Sequence, residues 1–310
     1  MTRPKKAASA PRQRAGRASS EATVRDAART ILRRQYKVVC TNQAAAIRGQ
    51  DPDALHDIRV AIRRFRAALK LFKKPLKATG ASGLDKRLRR LNRDLGRVRD
   101  AHVWMDRMTA EAVLKAVGSD PGWQVYLDRQ QAMAKEWNER LCVMLKSKRG
   151  QRVLRDMERL IRKGFASQVK PDASVPVAPF MARRLLRVFD RIRASAFLQD
   201  EADPEAMHEL RRLCRRERYW CEFGVRYIGG DVGRLGRRLK AVADALGRLH
   251  DAQVAMARIA TDTDVPDGLA RYFVKAEERA LRDFRRSWDR IFDRALASQA
   301  KRCLKAARGR

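Results

Sequence analysis

The nine residues DPDALHDIR at 51–59 return 152 positions later as DPEAMHELR at 203–211, and each copy runs on into an arginine-rich segment. In register, Asp51 pairs with Asp203, Pro52 with Pro204, His56 with His208, Arg59 with Arg211, Arg63 with Arg215 and Arg66 with Arg218. A match this long marks a duplicated unit, so whatever the first half folds into, the second is expected to fold into again. A second echo sets DLGRVRDAHV at 94–103 against ALGRLHDAQV at 245–254, at an offset of 151, so one residue was lost between the two motifs.

Each copy opens as a helix should. Asp can cap the exposed N–H groups, Pro is tolerated at the first helical position, and Asp53 or Glu205 suits the positive end of the helix dipole. At 3.6 residues per turn His56, Arg59, Arg63, Arg66 and Lys70 fall within one stripe roughly 80° wide, with Ile58, Ile62, Phe65, Leu69 and Phe72 opposite. The second copy places His208, Arg211, Arg215 and Arg218 on the stripe and Leu210, Leu213, Cys214 and Cys221 behind it. Its pattern departs twice: Glu222 stands where the first copy has Lys70, and Glu217 points toward the apolar side. One helix later Lys86, Arg90, Arg93 and Arg97 share a stripe roughly 60° wide, backed by Leu88, Leu91, Leu95, Val98 and His102. In the second half the matching stripe is thinner, with Ala241 and Asp244 in place of Arg90 and Arg93, leaving Arg237 and Arg248; the halves are expected to bind unequally.

Residues 1–20 are rich in Ala, Pro, Ser and base with no acid, and are expected to form a disordered basic tail. Beyond them the periodicity is helical almost throughout and strand alternation is nowhere convincing. The breaks predict helices near 21–48, 52–74, 83–117, 121–168 (interrupted near 148–150), 178–198, 204–228, 231–260 and 267–306. The proline-rich, weakly charged stretch at 169–177 is read as the linker between a first half at 21–168 and a second at 178–310. Long helices with one apolar stripe each and short connections pack as antiparallel bundles, giving an all-α fold with four helices per half.

Lys and Arg total 71 against 36 Asp and Glu, a formal net charge of +35 at pH 7. Such self-repulsion costs stability unless an anion offsets it, so a polyanionic partner is the simplest expectation. Five cysteines, with no Cys-x-x-Cys pair, argue for a reducing compartment and against a disulfide framework or zinc knuckle. No apolar run is long enough to cross a bilayer and residues 1–20 have no secretory apolar core; no membrane partner and a cytoplasmic location are expected. His56, His102, His208 and His250 include no pair at i, i+4, so no metal site and no cofactor are expected. Phosphoryl transfer needs clustered carboxylates to hold magnesium, and the basic faces carry none, which argues against an enzyme. Asp100 and Asp251 are expected to hold arginine forks in position rather than to bind metal.

His-x-x-Arg followed by bases at +7 and +10, present twice, with Leu-Gly-x-x-x-Asp one helix later, closely resembles the conserved histidine α-helical domain, CHAD. The resemblance covers roughly residues 21–306. It implies two four-helix bundles related by pseudo-twofold symmetry, their basic faces turned toward a shared central groove or pore, and binding of inorganic polyphosphate without chemical change. Residue by residue it points to His56, Arg59, Arg63 and Arg66, and to His208, Arg211, Arg215 and Arg218. Lys70, Lys86, Arg90, Arg93, Arg97, Arg237 and Arg248 join them from the stripe reading alone.

The chemistry suits such a ligand. A phosphate chain has no bases to read, and cations at i, i+3, i+7 and i+10 span about 15 Å of helix, enough to meet several successive phosphates. Arginine holds two phosphate oxygens in one planar fork and stays charged. Attachment to polyphosphate granules would follow from such binding. A nucleic-acid binding or compacting protein is the alternative, because the net charge attracts any phosphate polymer through counterion release; few aromatics are placed to stack on bases.

Overall fold

The apolar stripes become one continuous core. The computed structural model describes residues 22–48, 51–76, 80–163, 174–195, 204–261, 265–291 and 294–309. Over these it forms eleven helices: α1 (Val24–Arg48), α2 (Pro52–Leu71), α3 (Ala81–Met108), α4 (Glu111–Val117), α5 (Trp123–Lys146), α6 (Lys148–Lys163), α7 (Val177–Ala194), α8 (Pro204–Ile228), α9 (Gly230–Ala260), α10 (Asp267–Ile291) and α11 (Arg294–Gly309). No strand occurs among the described residues; the one β-bridge joins Thr23 to Pro176. The expected tail at 1–20 lies outside the described residues, as does 169–173 of the expected linker. The rest of that linker is docked: Val24 N donates to the Val175 carbonyl at 3.0 Å and Val177 N to the Ala22 carbonyl at 2.9 Å, tying the entries of α1 and α7 together.

α2 starts where its sequence says it must. The Asp51 carboxylate accepts from the N–H groups of Asp53 (2.9 Å) and Ala54 (3.0 Å), with Pro52 in the first turn. The matching cap, Asp203, lies outside the described residues. Ile58, Ile62, Phe65, Leu69 and Phe72 are all buried on α2, as are Leu210, Leu213, Cys214 and Cys221 on α8. Glu217 is buried with them.

Three predicted helices are divided. The span 83–117 breaks at Thr109, whose hydroxyl donates to the Met105 and Asp106 carbonyls and closes α3, while Ala110 turns extended before α4. The span 121–168 becomes α5 and α6, parted at Ser147, close to the expected interruption. The span 267–306 becomes α10 and α11. The lost residue falls at the connection after α2 and α8. Nine residues separate α2 from α3, whereas α8 runs on to Ile228 and meets α9 through Gly229, at φ 126°, a conformation that favours glycine.

α2 packs between α1 and α3, and α8 between α7 and α9. The two sets meet through α2 with α8, α1 with α7 and α4 with α10. At the first of these contacts the Trp220 indole donates to the Ala67 carbonyl at 2.9 Å, and Arg64 pairs with Glu222 at 2.5 Å. At the last, Trp104, Met108, Val113, Trp123 and Tyr126 bury against Ala255, Ile259, Leu269 and Phe273 in a second apolar cluster. Both contacts hold α2 and α8 side by side, with their arginine stripes bordering common space.

Candidate functional site

That space is a cavity of about 900 Å³ between α2, α3, α8 and α9. Ten arginine and lysine side chains line it against three carboxylates, Asp100, Asp244 and Asp251. A smaller basic pocket of about 400 Å³ adjoins it and shares Arg63, Arg215 and Tyr219 with it. Among the described residues, no helix is long and apolar enough to cross a membrane, and no group of three or more His, Cys, Asp or Glu is placed to hold a metal ion.

The arginines of each motif copy divide into braced and unbraced. Arg59 donates to the Asp100 carboxylate (3.2 Å) and the Gly96 carbonyl (3.4 Å), and its counterpart Arg211 sits 3.9 Å from Asp251. The guanidinium groups pack over the glycines of the second motif: a Cβ at Gly96 or Gly247 would lie in ordinary van der Waals contact with Arg59 or Arg211, at 3.5 and 3.7 Å. Leu-Gly-x-x-x-Asp therefore works as a seat for the first arginine of its partner motif: the guanidinium lies over the glycine, and the aspartate one turn later faces the fork. The last arginine of each copy is held as well, Arg66 by Asp85 at 2.7 Å and Arg218 by Glu222 at 2.8 Å and Asp244 at 3.7 Å. Arg63 and Arg215, between them, have no ion-pair partner among the described residues, and both pockets open onto them.

Burial first, and then the Arg211 and Arg63 guanidinium groups, push Arg215 down to about 10. Arg59 and Arg211 are also lowered by burial, with Asp100 and Asp251 opposing the shift. For Arg218 burial works against the charge, but the Glu222 hydrogen bond and charge outweigh it and raise the group. The cavity thus holds a knot of guanidinium groups, partly desolvated and short of counter-charge, and an incoming anion would relieve it.

Of the other expected site residues, His56 and Arg248 line the main cavity, with Arg248 held by Asp283 of α10 at 3.0 Å, and Arg66, Lys70 and His208 line the adjoining pocket. Lys86, Arg90, Arg93, Arg97 and Arg237 line neither. On α3 the lining face, with Arg99, Asp100, Val103 and Arg107, lies roughly 95° around the helix from the stripe of Lys86, Arg90, Arg93 and Arg97. Arg97 rests on the Trp137 ring of α5, at 5.3 Å. Sequence reasoning overlooked Arg89, Arg99, Arg107, Lys240 and Arg258, which line one pocket or the other. The signal for most was present: at the same 151-residue offset Arg89 answers Lys240 and Arg107 answers Arg258.

All four histidines titrate below the usual 6.5, through burial first and a neighbouring arginine second. The His208 and His250 rings lie 5.5 Å apart. Because their folded values are depressed, the ligand-free fold keeps its full stability above the unfolded value near 6.5 and loses it as pH falls through the folded values. A bound polyanion would raise them again, so its binding takes up protons. Lowering pH from about 7.5 to about 5.5 should therefore reduce the melting temperature of the free protein and tighten polyanion binding roughly three- to tenfold. His208→Gln with His250→Gln should flatten that dependence; an unchanged pH profile would place these imidazoles away from the ligand.

An all-helical protein with a cationic cavity between helices from two copies of one motif defines a narrow class. The chain belongs to the CHAD domain family, whose match spans residues 30–260. Its structure is similar to the crystal structure of the CHAD domain from the plant Ricinus communis, with TM-score 0.66 and 22% identity over 97% of this chain and 98% of that one. It is similar also to PptA from Streptomyces chartreusis, with TM-score 0.60 and 18% identity over 90% of this chain and 99% of that one. At these identities the likeness establishes the fold. No curated protein matches the chain.

Proposed function

We propose that this protein binds inorganic polyphosphate in the cavity between α2, α3, α8 and α9, without altering it chemically, and that such binding attaches it to polyphosphate granules. The observation that carries the reading is the meeting of Arg63 and Arg215, one from each motif copy, without an ion-pair partner among the described residues, in a cavity whose remaining cations are largely braced. Bracing favours a long ligand: forks already aimed can take successive phosphates with little further loss of side-chain freedom. Family membership and the pairing of the two repeat copies also support it, and we read the halves as pseudo-twofold related bundles.

The non-enzymatic part of the proposal rests on the carboxylates. Asp100 is engaged by Arg59, Asp251 by Arg211, and Asp244 by Lys240 (2.5 Å) and Arg218, so the acids in the cavity are committed to orienting cations. Binding of long polyphosphate, tripolyphosphate and duplex DNA, matched in phosphate content and followed by calorimetry across a salt series, tests the reading. Long polyphosphate should outbind both others at physiological salt, by about tenfold or more. Equal loss of all three ligands as salt rises would reduce the site to generic electrostatics. Orthophosphate release on adding magnesium would make it an enzyme.

A further inference from the structure

Two bases of α3 that do not face the cavity, Arg87 and Arg90, border a second cationic surface. On α6, Lys148, Arg152, Arg155 and Arg159 recur at i, i+4, i+7 and i+11, all exposed, along about 16 Å of one helical line. Two depressions border that line. One, of about 340 Å³, brings Arg87 and Arg90 of α3 to Arg149 of α6; the other, of about 520 Å³, runs from Lys148 to Arg159 and includes Arg149 again. Gly150 sets this geometry, because α6 starts so close to the end of α5 that a Cβ there would meet the Met144 carbonyl at 2.5 Å. Asp156 is the one carboxylate in the outer depression, and it is committed to Arg87 at 3.0 Å and Arg159 at 3.3 Å. Lys148, Arg149, Arg152 and Arg155 have no ion-pair partner among the described residues.

A basic helix face is commonly just solvated. Here, however, like charges at i, i+3 and i, i+4 work against the helix, the surface is concave, and of its two acids, Asp94 in the inner depression and Asp156 in the outer, Asp156 is spent on cross-linking α6 to α3. We infer that the α3–α6 ridge is a second site for linear inorganic polyphosphate, so that one molecule engages two stretches of polymer, one in the cavity and one outside, with α3 as the wall between them. The inference rests on the polyphosphate reading for its class of ligand and on the outer surface alone for its geometry. Neither depression contains an aromatic side chain, so there is nothing for a nucleobase to stack on.

The test is a set of four full-length proteins: unaltered, Arg63→Glu with Arg215→Glu, Arg149→Gln with Arg152→Gln and Arg155→Gln, and all five changes together. Circular dichroism checks folding, and the probes are long polyphosphate, tripolyphosphate and matched duplex DNA at low salt. The ridge substitutions should weaken long-chain binding about tenfold, leave tripolyphosphate within about twofold, and remove what binding the cavity variant retains. Changes below about twofold in both backgrounds would overturn the ridge. Loss confined to the ridge variant, with the cavity variant binding normally, would sink the central site and keep this one. Duplex DNA losing as much as polyphosphate would hand the ridge to nucleic acid instead.

Discussion

Charge reversal at Arg63 and Arg215 together is expected to lower affinity for long polyphosphate at physiological ionic strength by at least about a hundredfold, leaving helix content unchanged. Each guanidinium lost removes charge-assisted hydrogen bonds of about 1.5–3 kcal/mol, and each carboxylate gained adds repulsion. The double variant should also be no less stable than the parent without ligand. Arg215 is half-buried, pushed down to about 10 and set beside Arg63 and Arg211, so new carboxylates there meet partners rather than rivals. Binding by calorimetry and thermal unfolding of the ligand-free protein read the two effects separately. Retained affinity would move the site elsewhere, and a collapse in stability would show the two arginines to be structural.

The second large effect concerns Glu217, which has no part in the cavity. Its side chain is 0% exposed, neither carboxylate oxygen has a hydrogen-bond partner among the described residues, and its neighbours along the buried face are Cys214 and Cys221. Burial holds its carboxyl well above the usual 4.5, with Arg216 opposing weakly, and burial raises both thiols in turn. Replacing a buried, unpaired carboxyl by a side chain of similar shape removes its desolvation cost, so Glu217→Met should stabilise the fold by about 1–3 kcal/mol. The sign with pH follows. A folded value raised above the unfolded one means stability is fully present below about 4.5 and is lost as pH rises toward the folded value, so the gain should grow between about pH 4.5 and pH 7.5. Urea midpoints at both ends of that range give the measurement; a less stable variant would reveal a partner for the carboxylate.

Glu217 also marks how far the sequence reaches. Its place on the apolar side of α8 follows from helical period alone, as do the buried residues behind the stripes of α2 and α8 and the cap at Asp51. What period cannot supply is which face of a helix meets which neighbour. On α3 the densest basic stripe, Lys86 to Arg97, looked like the binding face, but charge density equally describes an outer surface. Gly96 and Asp100 mark the inward side, because a small residue one turn before an acid can seat an arginine from another helix. Once that face is known, Arg99 and Arg107 follow, and the repeat offset adds Arg258 and Lys240. The division of α3 from α4 was hidden for a different reason: the helix-favouring run 111–117 continues the pattern across Thr109, and only packing of Val113 into the second apolar cluster shows that the chain has turned.

The seats for Arg59 and Arg211 bear on the speed of loading. Folding has already placed these forks over Gly96 and Gly247 and beside a carboxylate one turn on, so on the proposed function an arriving polymer would find its first contacts assembled rather than recruit them. Capture would then be governed by encounter, which the long-range field of a strongly positive molecule accelerates and dissolved salt damps, and release would be the slow event that sets residence time.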